Sequence, residues 1–205
     1  DSGDFNLSAA RYLEKVEIDS IFPVVLLFEH AEFLRGTSKS KKDFMEGDIP
    51  VVAGGMQPAY YCNESNRDEK MITISSSGAN AGFVNFYSQK IFATDCFTIN
   101  ANKEVLNQKF LYNILKVRQN EIYNMQTGGG QPHVYIKNFD QFKIPLPPLE
   151  IQEQIVKEIE GYQQIIDGCR QVVENYKPVI DIDPGWKKIK LDDLAKLKYG
   201  LGESA

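Results

Sequence analysis

Residues 127–133 read Thr-Gly-Gly-Gly-Gln-Pro-His, and no other stretch of the chain has clearer chemical means. Glycines lack a Cβ and let backbone come close to another surface, and the exposed N–H groups of such loops suit phosphate oxygens. Gln131 and His133 can hydrogen-bond the edge of a nucleobase, glutamine with a paired contact to adenine. Two readings stand for this loop. It is a tight turn packed on its own domain, or Thr127, Gly129, Gln131 and His133 touch phosphate and base. Arg35, Lys39, Lys41 and Lys42 form the densest basic cluster before residue 180. They are either a solvated loop or a set of phosphate contacts, which supply affinity without sequence choice. Two more turns carry side chains of the same kind: 54–63 with Gln57, and 75–82 (SSSGANAG) with Ser76, Ser77 and Asn80.

Other chemistry lacks its residues. The turn at 75–82 has no Gly-Lys-Ser/Thr, so it is not a nucleotide-phosphate loop. The one Pro-Pro pair, Pro147-Pro148, stands between Leu146 and Leu149 and does not make the Asn/Asp-Pro-Pro-aromatic motif of amino-methyltransferases. His30 and His133 stand alone, Cys62, Cys96 and Cys169 are scattered, and no metal-ligand spacing occurs. Three cysteines so placed give no disulfide framework and fit a reducing, cytoplasmic setting. No apolar run approaches the roughly 20 residues of a membrane span. No signal peptide pattern is visible, and Asp1 reads as the start of a fragment.

The net charge of −5 sits unevenly along the chain. Residues 20–147 hold thirteen basic and twelve acidic side chains, whereas residues 150–176 hold two and six. Charge therefore does not exclude a nucleic-acid partner, but any grip must come from local patches.

The elements that must position these loops follow from pattern. Residues 1–20 read as a linker in which Ser8 can cap a short helical turn, Ala9–Lys15. Short strands are expected at Val24–Phe28, Ile49–Ala53, Tyr60–Cys62, Met71–Ser75, Phe83–Tyr87, Ile91–Phe92 and Cys96–Ile99. Met71–Ser75 alternates apolar and polar residues, as a half-buried strand does, and pairs with Phe83–Tyr87 as a hairpin. Residues 104–124 form a helix with a core face of Phe110, Leu111, Ile114, Leu115 and Ile122. The glycine loop should lead into another short strand. Asp95 reads first as a structural hydrogen-bond acceptor. The fold class is α+β: a mixed, β-rich domain with a few helices at 21–148, then one long helix of coiled-coil type at 149–177.

Pro145, Pro147 and Pro148 should stop any regular element before that helix. From Ile155 its apolar residues Ile155, Ile159, Tyr162, Ile166, Cys169, Val173 and Tyr176 are spaced 4, 3, 4, 3, 4, 3, a heptad seam. Gly161 and Gly168 interrupt it, both off the seam. A narrow stripe on so long a helix either packs on its own domain or needs a partner helix, which predicts a homodimer for the chain in isolation. A repeat is also visible: Phe22–Gly36 aligns without gaps to Trp186–Gly200, 164 positions later, through Phe22/Trp186, Val25/Ile189, Leu27/Leu191, Ala31/Ala195 and Gly36/Gly200. Residues 178–205 then read as a linker and the opening of a second copy.

The run Ile144-Pro145-Leu146-Pro147-Pro148-Leu149, with Gln152 or Gln154 after it, resembles the end of a target recognition domain and the start of the spacer helix in specificity (S) subunits of type I restriction-modification systems. The repeated opening phrase, the Thr94-Asp95-Cys96-Phe97 strand and the glycine loop before the proline run are similar to that family too. The phrase Asn6-Leu-Ser-Ala-Ala-Arg-Tyr12 resembles the C-terminal end of type I N6-adenine methyltransferase (M) subunits fused to S. The resemblance implies a non-catalytic module that reads one half of a split site on double-stranded DNA. Its helix would set the distance to the other half and dock methyltransferase and restriction (R) subunits, with S-adenosylmethionine, ATP and magnesium held by those partners. An assembly module whose coiled coil is its main function, or the end of a fused methyltransferase, are the alternatives.

Overall fold

The computed structural model describes residues 20–176 and 183–196, so the expected turn at Ala9–Lys15 lies outside it. The chain divides into two units, 1–162 and 163–205.

In the first unit the strands are β1 (Val24–Leu26), β2 (Ala31–Arg35), β3 (Ile49–Val52), β4 (Tyr60–Cys62), β5 (Met71–Ser75), β6 (Val84–Tyr87), β7 (Phe92–Ala93), β8 (Cys96–Ala101) and β9 (Lys143–Pro145). They make a four-stranded antiparallel sheet in the order β2-β8-β5-β6, a three-stranded sheet β4-β3-β7 and the pair β1-β9. Sequence pattern leaves out β2, which follows a single 3-10 turn at Leu27–Glu29.

The alternation in Met71–Ser75 does not mark a wet face, because all five residues are buried. Ile72 and Ile74 face a core shared with Phe110, Leu111 and Leu115, whereas Met71 and Cys96 of β8 join Val52, Ile91 and Ala93 from the second sheet and the loop before β7. A strand covered on both sides needs its polar residues paired. Thr98, opposite Thr73 on β8, accepts from Arg67 Nε at 2.8 Å and donates to the Leu34 carbonyl at 3.3 Å.

The helix expected at 104–124 is two helices, α1 (Gln108–Val117) and α2 (Gln119–Tyr123). Asn107 caps the first, its Oδ1 accepting from the Lys109 and Phe110 N–H groups at 2.9 and 3.1 Å. The break has a cause in Arg118. Its guanidinium forks onto Glu121 at 2.6 Å, donates to the Lys143 carbonyl and lies 3.8 Å from the Phe142 ring centre. After the glycine loop there is no strand but isolated bridges and a 3-10 turn at Ile136–Phe139. Pro145 does not stop a regular element either: it ends β9 opposite Val24, in a two-stranded pair where a missing N–H is tolerated.

The long helix, α3 (Leu149–Asn175), runs through Gly161 and Gly168 without a break. Its first turn is fixed by Gln152, which is 0% exposed. Gln152 Oε1 accepts from the Asn107 N–H at 2.8 Å, and Nε2 donates to the Val105 and Pro147 carbonyls at 2.9 and 2.7 Å. Ile155 and Val156 pack on the domain core; Ile159 and Tyr162 are exposed.

In the second unit, α4 (Leu191–Leu194) falls where the repeat places the Leu27–Glu29 turn. Leu27 is fully buried, whereas Leu191 is 60% exposed, as is 59% of Trp186. Among the described residues no helix is long and apolar enough to cross a membrane.

Replacing Gln152 with Ala removes the partner of three backbone groups, the Pro147 carbonyl buried and the Asn107 N–H and Val105 carbonyl partly so, and a fully buried group costs about 1–3 kcal/mol when unpaired. Thermal melts of Gln152→Ala should show a loss of about 2–4 kcal/mol, whereas the exposed Gln154→Ala should stay within about 0.5 kcal/mol. Equal melts would mean that water replaces the amide at no cost.

Candidate nucleic-acid interface

Antiparallel order decides which loops meet. Register pairs Arg35 with Phe97, Cys96 with Ser75, and Ile74 with Val84. The exit of β2, the entry of β8 and the β5–β6 turn therefore share one edge of the sheet. β3 is tied to that edge because the Thr94 N–H and Oγ1 both donate to the Val52 carbonyl, at 2.8 and 2.9 Å.

The approach is close enough to demand glycine at two positions. A Cβ on Gly36 would lie 1.9 Å from the Thr94 carbonyl oxygen, and one on Gly54 would lie 2.6 Å from the Ser77 carbonyl oxygen. The first is the glycine of the internal repeat.

The glycine loop docks on the same edge. The Gly78 N–H donates to the Pro132 carbonyl at 3.0 Å and the Val134 N–H to the Ser76 carbonyl at 3.0 Å. Thr127 and His133 exchange backbone bonds at 2.9 and 2.8 Å, closing the loop. Gly128 has φ +106°, and a Cβ there would lie 2.6 Å from the Gln131 carbonyl oxygen. It is thus Gly128, not Gly129, that the turn requires; Gly129 faces open space. Gln131 and Thr127 are exposed, and the His133 ring stacks on Tyr135 with centres 5.7 Å apart and planes 10° from parallel.

The sequence-derived candidates sort as follows. Ser76, Ser77, Thr127, Gly129, Gln131 and His133 come together. Asn80 closes the neighbouring turn, its carbonyl accepting from Phe83 at 2.9 Å. Gln57 is exposed on the loop that Gly54 brings against Ser77. Arg35 is exposed and, with Gly36, Ser76, Thr94 and Tyr135, lines a depression of about 210 Å³. Two members of the basic cluster rest on one aromatic pair, Phe44 and Tyr60, whose ring centres are 5.7 Å apart. Lys39 pairs with Glu64 and lies 4.5 Å from the Phe44 ring centre, while Lys41 sits 5.4 Å from the Tyr60 ring centre. Lys39 thus has an acidic partner, which Lys41 and Lys42 lack among the described salt bridges. Lys41 and Lys42 stay exposed.

Asp95 Oδ2 accepts from Ser77 Oγ, as expected of a structural acceptor. Sequence pattern does not single out Tyr135, Gly54 or Gly128; only the positive φ and the close approaches reveal the two glycines. Burial pushes the Cys96 thiol up to about 12, leaving it inert. Among the described residues no group of three or more His, Cys, Asp or Glu could hold a metal ion.

Known proteins resemble this chain in sequence and in fold. The chain is 29% identical over 107 residues to the type I restriction enzyme MjaVIII specificity subunit of Methanocaldococcus jannaschii, a match over 52% of this chain and 25% of that one. The type I restriction-modification system S subunit from M. genitalium has the same fold at a TM-score of 0.66 and 18% identity, over 78% of this chain and 44% of that one. The HsdS subunit from Thermoanaerobacter tengcongensis follows at 0.59 and 20%, over 77% of this chain and 41% of that one. The chain thus spans a quarter of the curated relative and under half of each solved structure. With residues 14–175 matching that family, the chain belongs to the type I restriction modification DNA specificity domains.

Proposed function

We propose that this chain is the sequence-reading, non-catalytic part of a type I specificity subunit. It reads one half of a bipartite site on double-stranded DNA through the loops at 36–42, 54–63, 75–82 and 126–133. The observation that carries the reading is the meeting of the glycine loop with the Ser76-Ser77 turn beside exposed Arg35, on a rigid sheet edge. Loops held by a rigid scaffold are where recognition concentrates. Methyltransferase and restriction subunits would dock on α3 and its flanks, and would hold S-adenosylmethionine, ATP and magnesium. The cytoplasm is the compartment this implies. Sequencing the methylated adenines in a host that carries the complete protein tests the reading; absence of any motif that depends on this chain sinks it.

A second feature favours self-association. Ile159 and Tyr162 in the first unit, and Ile166, Cys169, Val173 and Tyr176 in the second, are exposed along the heptad seam. A second copy of the helix would cover them.

Lys41→Ala with Lys42→Ala should weaken binding to all duplexes alike and flatten the log–log salt dependence by about one unit for each lysine–phosphate pair removed. Lys39→Ala should lower the melting temperature instead. Gln131→Ala should relax one position of the methylated motif, where a paired hydrogen bond discriminates by about 1–3 kcal/mol. Gly128→Val should collapse the turn, whereas Gly129→Val keeps the melt and loses affinity where backbone meets phosphate. Sedimentation of the chain at tens of micromolar, a range of about 10⁻⁵ M, should show a dimer that Ile159→Glu with Ile166→Glu abolishes; a monomer in the parent leaves the helix to other partners.

A further inference from the structure

Asp95 has more to do than clamp a turn. It is an exposed carboxylate on the edge where four loops converge, a poor choice for a surface that approaches phosphate unless a donor meets it. Its backbone is fixed on both sides: the Ser76 N–H donates to its carbonyl at 3.2 Å, Thr94 donates to Val52, and the Gly36 N–H donates to Cys96 at 2.8 Å. Its side chain is held by Ser77 Oγ, which donates to Oδ2, and among the described residues no hydrogen bond engages Oδ1. It lines a depression of about 390 Å³ with Gly36, Ser38, Lys39 and Thr94. Lys39, the nearby cation of that depression, is held by Glu64, and among the described residues Asp95 has no salt-bridge partner.

A carboxylate accepts and never donates. In the major groove adenine N6 and cytosine N4 present donors, while guanine O6 and thymine O4 present acceptors. We propose that Asp95 is a specificity-determining residue, its Oδ1 accepting from the exocyclic amino group of adenine or cytosine at one position of the DNA site. This rests on the DNA-reading function above and adds the class of base that one hydrogen bond selects. Ser77 is then a positioning residue, holding the carboxylate in one orientation before DNA arrives. Gly54 leaves room for that carboxylate, since a Cβ there would lie 3.2 Å from Oδ2.

The test is selection of bound duplexes from a random pool by the full chain, the parent against Asp95→Asn. Asparagine keeps an oxygen for Ser77 and turns a donor toward the base. Expected are an unchanged melt, affinity for random duplex equal or higher, and one position whose preference for adenine or cytosine falls at least about fivefold or reverses to guanine or thymine. Ser77→Ala should blur the same position without reversing it. An identical preference in Asp95→Asn overturns the proposal while leaving DNA reading intact. A uniform loss at all positions with a lowered melt overturns it too, reducing Asp95 to a clamp. A parent without any sequence preference overturns both.

Discussion

The burial of β5 on both faces is the constraint on which the rest depends. A five-residue strand with no wet face must be covered from two directions. α1 covers one side through Phe110, Leu111 and Leu115, and the second sheet covers the other through Val52, Ile91 and Ala93. Burial of this kind is the main favourable term in folding. It also brings β3 alongside the main sheet, and with it the Gly54 loop against Ser77. Without that second layer the 54–63 loop would have no reason to lie near the glycine loop.

From β5 two kinds of order run outward. At one sheet edge the chain turns three times and collects polar loops. At the other, β8 ends at Ala101, where the Gln108 amide accepts from the Ala101 N–H at 2.7 Å and donates to the Ile99 carbonyl at 2.8 Å. Asn107 then caps α1 with its side chain while its own N–H is capped by Gln152 of α3. The direction in which α3 leaves is therefore keyed to the sheet through two amide side chains, with Lys109 and Glu160 at 3.7 Å adding a weaker exposed tie.

How much of this the sequence reveals depends on whether the signal is local. Most strand positions and the α3 span are periodic features, and they are legible; β2 and the turn that replaces a strand after the glycine loop are not. The break at Arg118 is not, because its cause is a guanidinium reaching Lys143, far along the chain. The wet face expected for Met71–Ser75 fails for the same reason: alternation reports polarity, and a second sheet can cover threonine and serine if their groups are paired. Asp95 is legible as an acceptor, but its unused oxygen shows only when Ser77 is seen to occupy the other one. Of the four lysines and arginines close in sequence, Lys39 pairs with Glu64 and Lys41 lies over Tyr60, ties to distant residues that sequence does not show.

Such ties bear on affinity. Of the cations in the first unit, Arg118 is bound to Glu121 and Lys39 to Glu64, and Arg67 donates to Thr98 and two carbonyls. Lys116 donates to the Val84 carbonyl, and burial lowers its ammonium pKa. These are four of the thirteen basic side chains at 20–147; Arg35, Lys41, Lys42, Lys70, Lys90 and Lys103 stay exposed, and non-specific DNA affinity is made of pairings between such groups and phosphate. On the function proposed above, phosphate contacts would supply affinity, and residues placed as Gln131 and Asp95 are would supply selectivity. A second reading head on a stiff tether would convert its own encounter into an intramolecular one and multiply affinity by about 10²–10⁴. On the proposed function, a 27-residue helix anchored by a buried glutamine at one end, with its seam uncovered beyond Ile155, would serve as a tether of that kind.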